Sequence, residues 1–134
     1  MDKQLKDKAV NIKGKAYVQV SDRVLYFNDT YPNGHIITNL VSEPQDARVV
    51  IKATVVPDAK NSDRFFTGYG QELVGDGFIN KTSALENCET SAVGRALAMM
   101  GIGVIESIAS VDEINKAKTS PQLGEPIKES NMPF

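Results

Sequence analysis

The sequence holds one cysteine, one histidine and no tryptophan. A single thiol, Cys88, cannot close an intramolecular disulfide or supply a thiolate zinc site. His35 standing alone removes the usual histidine metal sites and catalytic triads. No apolar run approaches the ~18 residues that would suggest a membrane span. The opening stretch "MDKQLKDKAVNIKGK" lacks the apolar core of a signal peptide. The net charge is −2, so no global basic signature marks the chain. These deficits predict a soluble cytoplasmic protein that is not an enzyme, needs no metal or cofactor and does not associate with membrane.

What is present suffices for one domain. The chain has 134 residues, and 41% of them are hydrophobic. Charge is uneven. Residues 1–23 hold six Lys/Arg against three acids, whereas 104–134 hold three Lys against five acids. A chain that is acidic overall can thus carry a local basic surface.

Hydrophobic periodicity predicts the element order. Residues 1–15 are charged and weakly periodic, a frayed helix or an arm. Tyr17, Val20, Val24, Phe27 and Tyr31 form one helical stripe, which Pro32 and the following Asn-Gly stop. Val18 and Val20 could instead begin a short strand. Three strand-like runs follow: 35–42, 48–56 and 64–74. In the second, Val49, Ile51, Ala53 and Val55 share one face. In the third, Gly68 and Gly70 lie on the face of Phe66 and leave a flat spot for a backbone or a flat ligand.

A long helix then begins at Ser83, where Ser83 and Glu86 make a capping box. Its predicted buried stripe is Leu85, Cys88, Ala92, Ala96 and Met99. Small residues keep this helix thin, and Gly101 and Gly103 end it. A second capping box, Ser110 and Glu113, predicts a short helix over 110–118. From Thr119 the composition turns to Pro, Gly and polar residues, which predicts a disordered tail. The expected organisation is a single α+β domain, 1–118, and a tail, 119–134. It comprises an N-terminal helix, a three-stranded antiparallel meander and a long helix packed on the sheet. An OB-fold barrel is the alternative, although a barrel wants five strands and three are visible.

Several residues suggest binding. "GDGFINKTS" sets Gly75, Lys81 and Thr82 in register with a phosphate loop, but Asn80 stands where that loop needs glycine. A Gly-rich turn, a lysine and a helix start still suit an anion such as a nucleic-acid phosphate. The bland alternative is a capped helix start with a solvated Lys81. Arg95 lies in an apolar helix near the edge of the buried stripe, and must find a phosphate or an ion pair with Glu86, Glu89 or a neighbouring subunit. Aromatic residues alternate with Lys13, Lys15, Arg23, Lys52, Arg64 and Lys81, an interleaving that suits single strands: rings stack bases while cations hold the backbone. Phe27, Phe65 and Phe78 read as core, and Tyr69, between two glycines, as the stacking ring. Glu86 and Glu89 read as cap and surface charge, His35 as a surface residue and Cys88 as a small core residue. The candidate DNA-binding set is therefore Lys13, Lys15, Arg23, Lys52, Arg64, Tyr69, Lys81, Thr82 and Arg95.

The segment "FINKTSALENCETSAVGRALAMMGIG" resembles one found in small phage proteins that bind single-stranded DNA or act in recombination. The resemblance covers about residues 15–115. The order helix, three strands, helix is also similar to the core of the phage single-strand annealing proteins of the Erf and Sak types. That resemblance implies a β-β-β-α unit that assembles into rings, with DNA in a basic groove. The closing "ESNMPF" resembles the Pro-Phe tip of bacterial single-stranded DNA-binding proteins. It implies that Met132, Pro133 and Phe134 plug into host replication or repair proteins. Together the resemblances imply a non-catalytic, oligomeric single-stranded DNA-binding protein of phage replication or recombination, with strand annealing as a further activity. Such a protein would work in the cytoplasm of a phage-infected or prophage-bearing bacterium. The alternative is a protein-interaction module that docks through its tip and never touches DNA.

Overall fold

Alternating β-branched residues and one alanine-rich helix dictate the architecture. A computed structural model describes residues 3–75, 77–105 and 108, with 77–82 described through the backbone alone. The expected helix 110–118, the tail and Met132, Pro133 and Phe134 lie outside the described residues. The elements run α1 (Lys3–Asp7), β1 (Val10–Ile12), β2 (Lys15–Tyr17), α2 (Val20–Thr30), β3 (His35–Leu40), β4 (Arg48–Val56), a 3-10 turn (Ala59–Asn61), β5 (Phe66–Leu73) and α3 (Gly77–Met99). The class is α+β, as the sequence predicts, with no closed barrel among the described residues. No described helix is long and apolar enough to cross a membrane.

The main sheet has the order β3-β4-β5, antiparallel throughout. Ile36, Thr38 and Leu40 of β3 pair with Val55, Ala53 and Ile51 of β4. Those β4 residues in turn oppose Phe66, Gly68 and Gly70 of β5. Strand alternation therefore turns this whole set toward one side. There Ile51, Ala53 and Val55 join Phe27, Cys88, Ala92, Ala96 and Leu97 in one buried cluster. Both long helices thus cover the same face of the sheet.

The flat spot on β5 takes a backbone. A Cβ on Gly68 would stand 2.8 Å from the Ala92 carbonyl oxygen and 2.9 Å from the Arg95 carbonyl carbon, and would also strike the Ala96 nitrogen. One on Gly70 would stand 2.6 Å from the Cys88 carbonyl oxygen. The helix meets the sheet through Ala84, Cys88, Ala92 and Ala96, all buried at four-residue spacing. The predicted stripe is thereby corrected at its ends: Leu85 and Met99 are both about half exposed. The contact with β5 is built from the smallest side chains. Among the described residues Leu97 is the large side chain of α3 that is buried, and Leu85 and Met99 turn outward. Cys88 is buried, as expected, and its thiol donates to the Val49 carbonyl at 3.4 Å.

Helix α3 also starts earlier than its capping box predicts. It runs from Gly77 and breaks direction at Ser83, whose φ of −134° and ψ of 16° are not helical. The cap residue marks a kink inside a longer element. At the other end the Ile102 N–H donates to the Leu97 carbonyl at 3.0 Å, and the Gly101 N–H to the Ala98 carbonyl at 2.8 Å. This is a Schellman closure, with Gly101 at φ +96°. No neighbour would touch a Cβ there, so Gly101→Ala should cost about 1–2 kcal/mol from backbone conformation alone. Thermal unfolding by circular dichroism measures it, and an unchanged midpoint would show that the left-handed turn relaxes freely.

The N-terminal region differs from its expectation. Residues 10–17 form a two-stranded hairpin, with Ile12 paired to Lys15. Lys13 and Gly14 both have positive φ, 51° and 87°, as a tight type I′ turn requires. Tyr17 therefore lies on β2, and α2 starts only at Val20.

Candidate nucleic-acid interface

The second face of the main sheet has no helix on it among the described residues. Alternation places His35, Ile37 and Asn39 of β3 there, with Arg48, Val50, Lys52, Thr54 and a buried Val56 of β4 and Thr67, Tyr69, Gln71 and Leu73 of β5. The register draws these residues into transverse rows. Asn39, Lys52 and Tyr69 lie side by side, as do Ile37, Thr54 and Thr67. Directly opposed side chains have Cβ atoms about 4.5–5.5 Å apart. Tyr69 is 54% exposed and Lys52 half-buried beside it, so the ring stands clear while the lysine stem lies along the sheet.

Charge separates between the two layers. None of the twelve outer-face residues just named is acidic, and Arg48 and Lys52 are basic. Glu72, the one acid of β5, points to the helix side and is buried. Helices α2 and α3 carry the acids Asp22, Asp29, Glu86 and Glu89 against a buried Arg23, a half-buried Arg95 and, in the first turns of α3, Lys81. Glu89 accepts a hydrogen bond from the Thr38 hydroxyl at 2.8 Å, tying α3 to β3. An anion is therefore favoured on the sheet side of the molecule.

The structure divides the sequence-derived set. Lys52 and Tyr69 meet on the open face. Arg64 is exposed on the β4–β5 connection, its guanidinium 4.9 Å from the centre of the Phe66 ring. Lys13 and Lys15 are exposed on the separate β1–β2 hairpin. Arg95 belongs to the helix layer. The side chains of Lys81, Thr82 and Phe78 lie outside the described residues. Phe65, expected in the core, is 54% exposed, whereas Phe27 is buried as expected.

Arg23 is corrected. It is 2% exposed and cannot reach a phosphate on the surface. Its Nε donates to the Val18 carbonyl at 2.8 Å and its Nη1 to the Gly94 carbonyl at 3.1 Å. The guanidinium also lies 5.1 Å from the centre of the Tyr17 ring. Burial pushes its pKa below the ordinary value, with Tyr17 opposing that shift. Arg23 is thus an internal fork joining the end of the hairpin, α2 and α3.

Asn39 is the site residue that sequence reasoning passes over. A lone asparagine in "HIITNLVS" carries no periodic or basic signal, and only strand register sets it across Lys52 from Tyr69.

The central unit, α2-β3-β4-β5-α3, is an α-β-β-β-α domain with one sheet face buried under two helices and the other open. That arrangement defines an α+β module. The family described as Slr1353 N-terminal dsRNA-binding domain-like matches residues 24–100, from within α2 to just past α3. The match spans more than half of the chain, and the chain belongs to that family. No curated protein and no solved structure matches it.

Proposed function

We propose that the chain binds nucleic acid on the open face of its sheet, and that its ligand is single-stranded DNA. The observation that carries this reading is the segregation of charge. An acid-free face with Arg48, Lys52 and an exposed Tyr69 lies opposite a helix layer bearing four acids. Membership in a family described by likeness to a dsRNA-binding domain supports nucleic acid as the ligand class. The exposed ring supports single strands: an unpaired base offers a free π-face to an aromatic side chain, whereas a base inside a duplex is already stacked on both sides. The resemblance of residues 79–103 to phage single-stranded DNA-binding and annealing proteins supports a non-catalytic role in phage replication or recombination. In that role the chain would assemble into oligomers in the bacterial cytoplasm, protect or anneal strands, and recruit host proteins through Met132, Pro133 and Phe134.

Fluorescence anisotropy with labelled oligo(dT) at low salt tests the proposal. Binding should weaken steeply as salt rises. Tyr69→Ala should lose about 1–3 kcal/mol, roughly 5- to 150-fold in affinity. Lys52→Glu should lose more and flatten the salt slope by about 0.7 or more. Both positions lie on the surface side of the sheet, so circular dichroism should show both variants folded. The family description favours one second reading, duplex RNA. An RNA duplex that outcompetes oligo(dT), with Tyr69→Ala without effect, would replace the single-strand reading with that one.

A further inference from the structure

We infer that the row Asn39–Lys52–Tyr69 is a single-nucleotide subsite with a preference for an unpaired adenine, an inference that rests on the open-face reading above. Lys52 is register-paired with Asn39 on one side and Tyr69 on the other. With strands ~4.8 Å apart, the asparagine and tyrosine backbones stand about 10 Å apart across the sheet. A base stacked on Tyr69 and leaning over Lys52 brings its edge to the Asn39 amide, while the ammonium takes the neighbouring phosphate. Asn39 and Tyr69 are exposed, and among the described residues no hydrogen bond or ion pair engages any of the three side chains.

The amide selects because it offers one donor and one acceptor side by side. Adenine matches that pair on two edges, N6 with N7 and N6 with N1. The other bases match it on their pairing edge, and the N7/O6 edge of guanine presents two acceptors. A purine also covers more of the tyrosine ring than a pyrimidine does. Of the two flanking rows, Ile37–Thr54–Thr67 has neither amide nor ring, and Val50–Gln71 has an amide but no ring, so stacking and amide readout combine at one base. The same contacts are available to DNA and to RNA, since neither the ring nor the amide touches the sugar.

The experiment is competition against labelled oligo(dT) by the pentanucleotides d(TTATT), d(TTTTT) and r(UUAUU). The wild-type chain should prefer d(TTATT) over d(TTTTT) by about fivefold or more, the lower end of the discrimination a good bidentate contact gives. Asn39→Ala should bring the two together, weakening d(TTATT) more than d(TTTTT), while the thermal midpoint stays put. Tyr69→Ala should weaken both pentamers. Comparable competition by r(UUAUU) assigns the subsite to either nucleic acid, and its failure assigns it to DNA. Equal competition by d(TTATT) and d(TTTTT) at the wild-type chain, or a preference that survives Asn39→Ala, overturns the subsite and leaves the open-face reading standing. Loss of oligo(dT) binding itself at the wild-type chain overturns both.

Discussion

Replacing Gly68 by alanine should destabilise the domain by about 3 kcal/mol or more, the upper part of the range for overpacking a filled core. The reason is specific to what the added methyl would meet. It would press on the backbone of Ala92, Arg95 and Ala96, and a helix backbone cannot swing aside as a flexible side chain can. Relief requires α3 to lift from β5, which would open the contacts of Cys88, Ala92 and Ala96 with Ile51, Ala53 and Val55. For a domain of this size that cost is a shift of roughly 10–20 °C in the thermal midpoint. Gly68→Val should leave no cooperative transition. Circular dichroism melts measure both variants. A Gly68→Ala midpoint within about 2 °C of wild type would mean that helix and sheet are not in backbone contact there.

The second large effect should come from Arg23→Met. The change removes two hydrogen bonds and leaves the buried Val18 and Gly94 carbonyls without that donor. The Gly94 carbonyl keeps its place in the α3 ladder, so the cost is that of two hydrogen bonds from a charged donor, about 1.5–3 kcal/mol each, and a loss of about 3 kcal/mol or more is expected. Arg23→Lys should recover little, because one ammonium cannot reproduce a planar fork aimed at two carbonyls on different elements. Denaturant melts give the stability, and oligo(dT) titration of the folded variant gives the affinity. Stability should fall while affinity holds. A variant that kept its stability and lost affinity would return Arg23 to the binding surface.

These two residues show how far the sequence could be read. The three strands and the long helix were legible because period-2 and period-4 patterns are strong there. The inward face of β4 follows directly from the alternation of Val49, Ile51, Ala53 and Val55. The close approach at Gly68 and Gly70 was legible too, because two glycines on one strand face leave room that something must fill. The choice between a ligand and a backbone was not legible, since α3 had to be placed first. Arg23 was hidden for a different reason. Arginine usually lies at the surface, so it reads as a solvent-facing cation even where it falls on the buried side of α2. The β1–β2 hairpin was hidden by its length: three-residue strands carry almost no periodicity, and "IKGK" gives its turn away only through Gly14.

The site was half legible. Lys52 and Tyr69 stand out as a cation and a ring, but their adjacency depends on register, which fixes side-chain neighbours across strands and is weakly encoded in any one strand. The same register brings in Asn39, whereas Lys13 and Lys15 belong to a separate hairpin and Arg95 to the helix layer. The helix end at Gly101 was legible from glycine alone, whereas the exposure of Leu85 and Met99 was not. A hydrophobic stripe drawn through the largest residues assumes that large residues make the contact, and α3 makes it with alanine.

The central claim is that nucleic acid lies on the sheet face opposite α2 and α3. The most direct measurement is amide chemical-shift mapping of the labelled protein during titration with oligo(dT). The side-chain NH2 groups of Asn39 and Gln71 report on the outer face itself. Those signals should move together with the backbone amides of Lys52, Thr67 and Tyr69, while those of Asp22, Leu25, Glu86 and Glu89 stay in place. Shifts concentrated on α2 and α3, with the Asn39 and Gln71 side chains unmoved, would contradict the account and put the ligand on the helix layer.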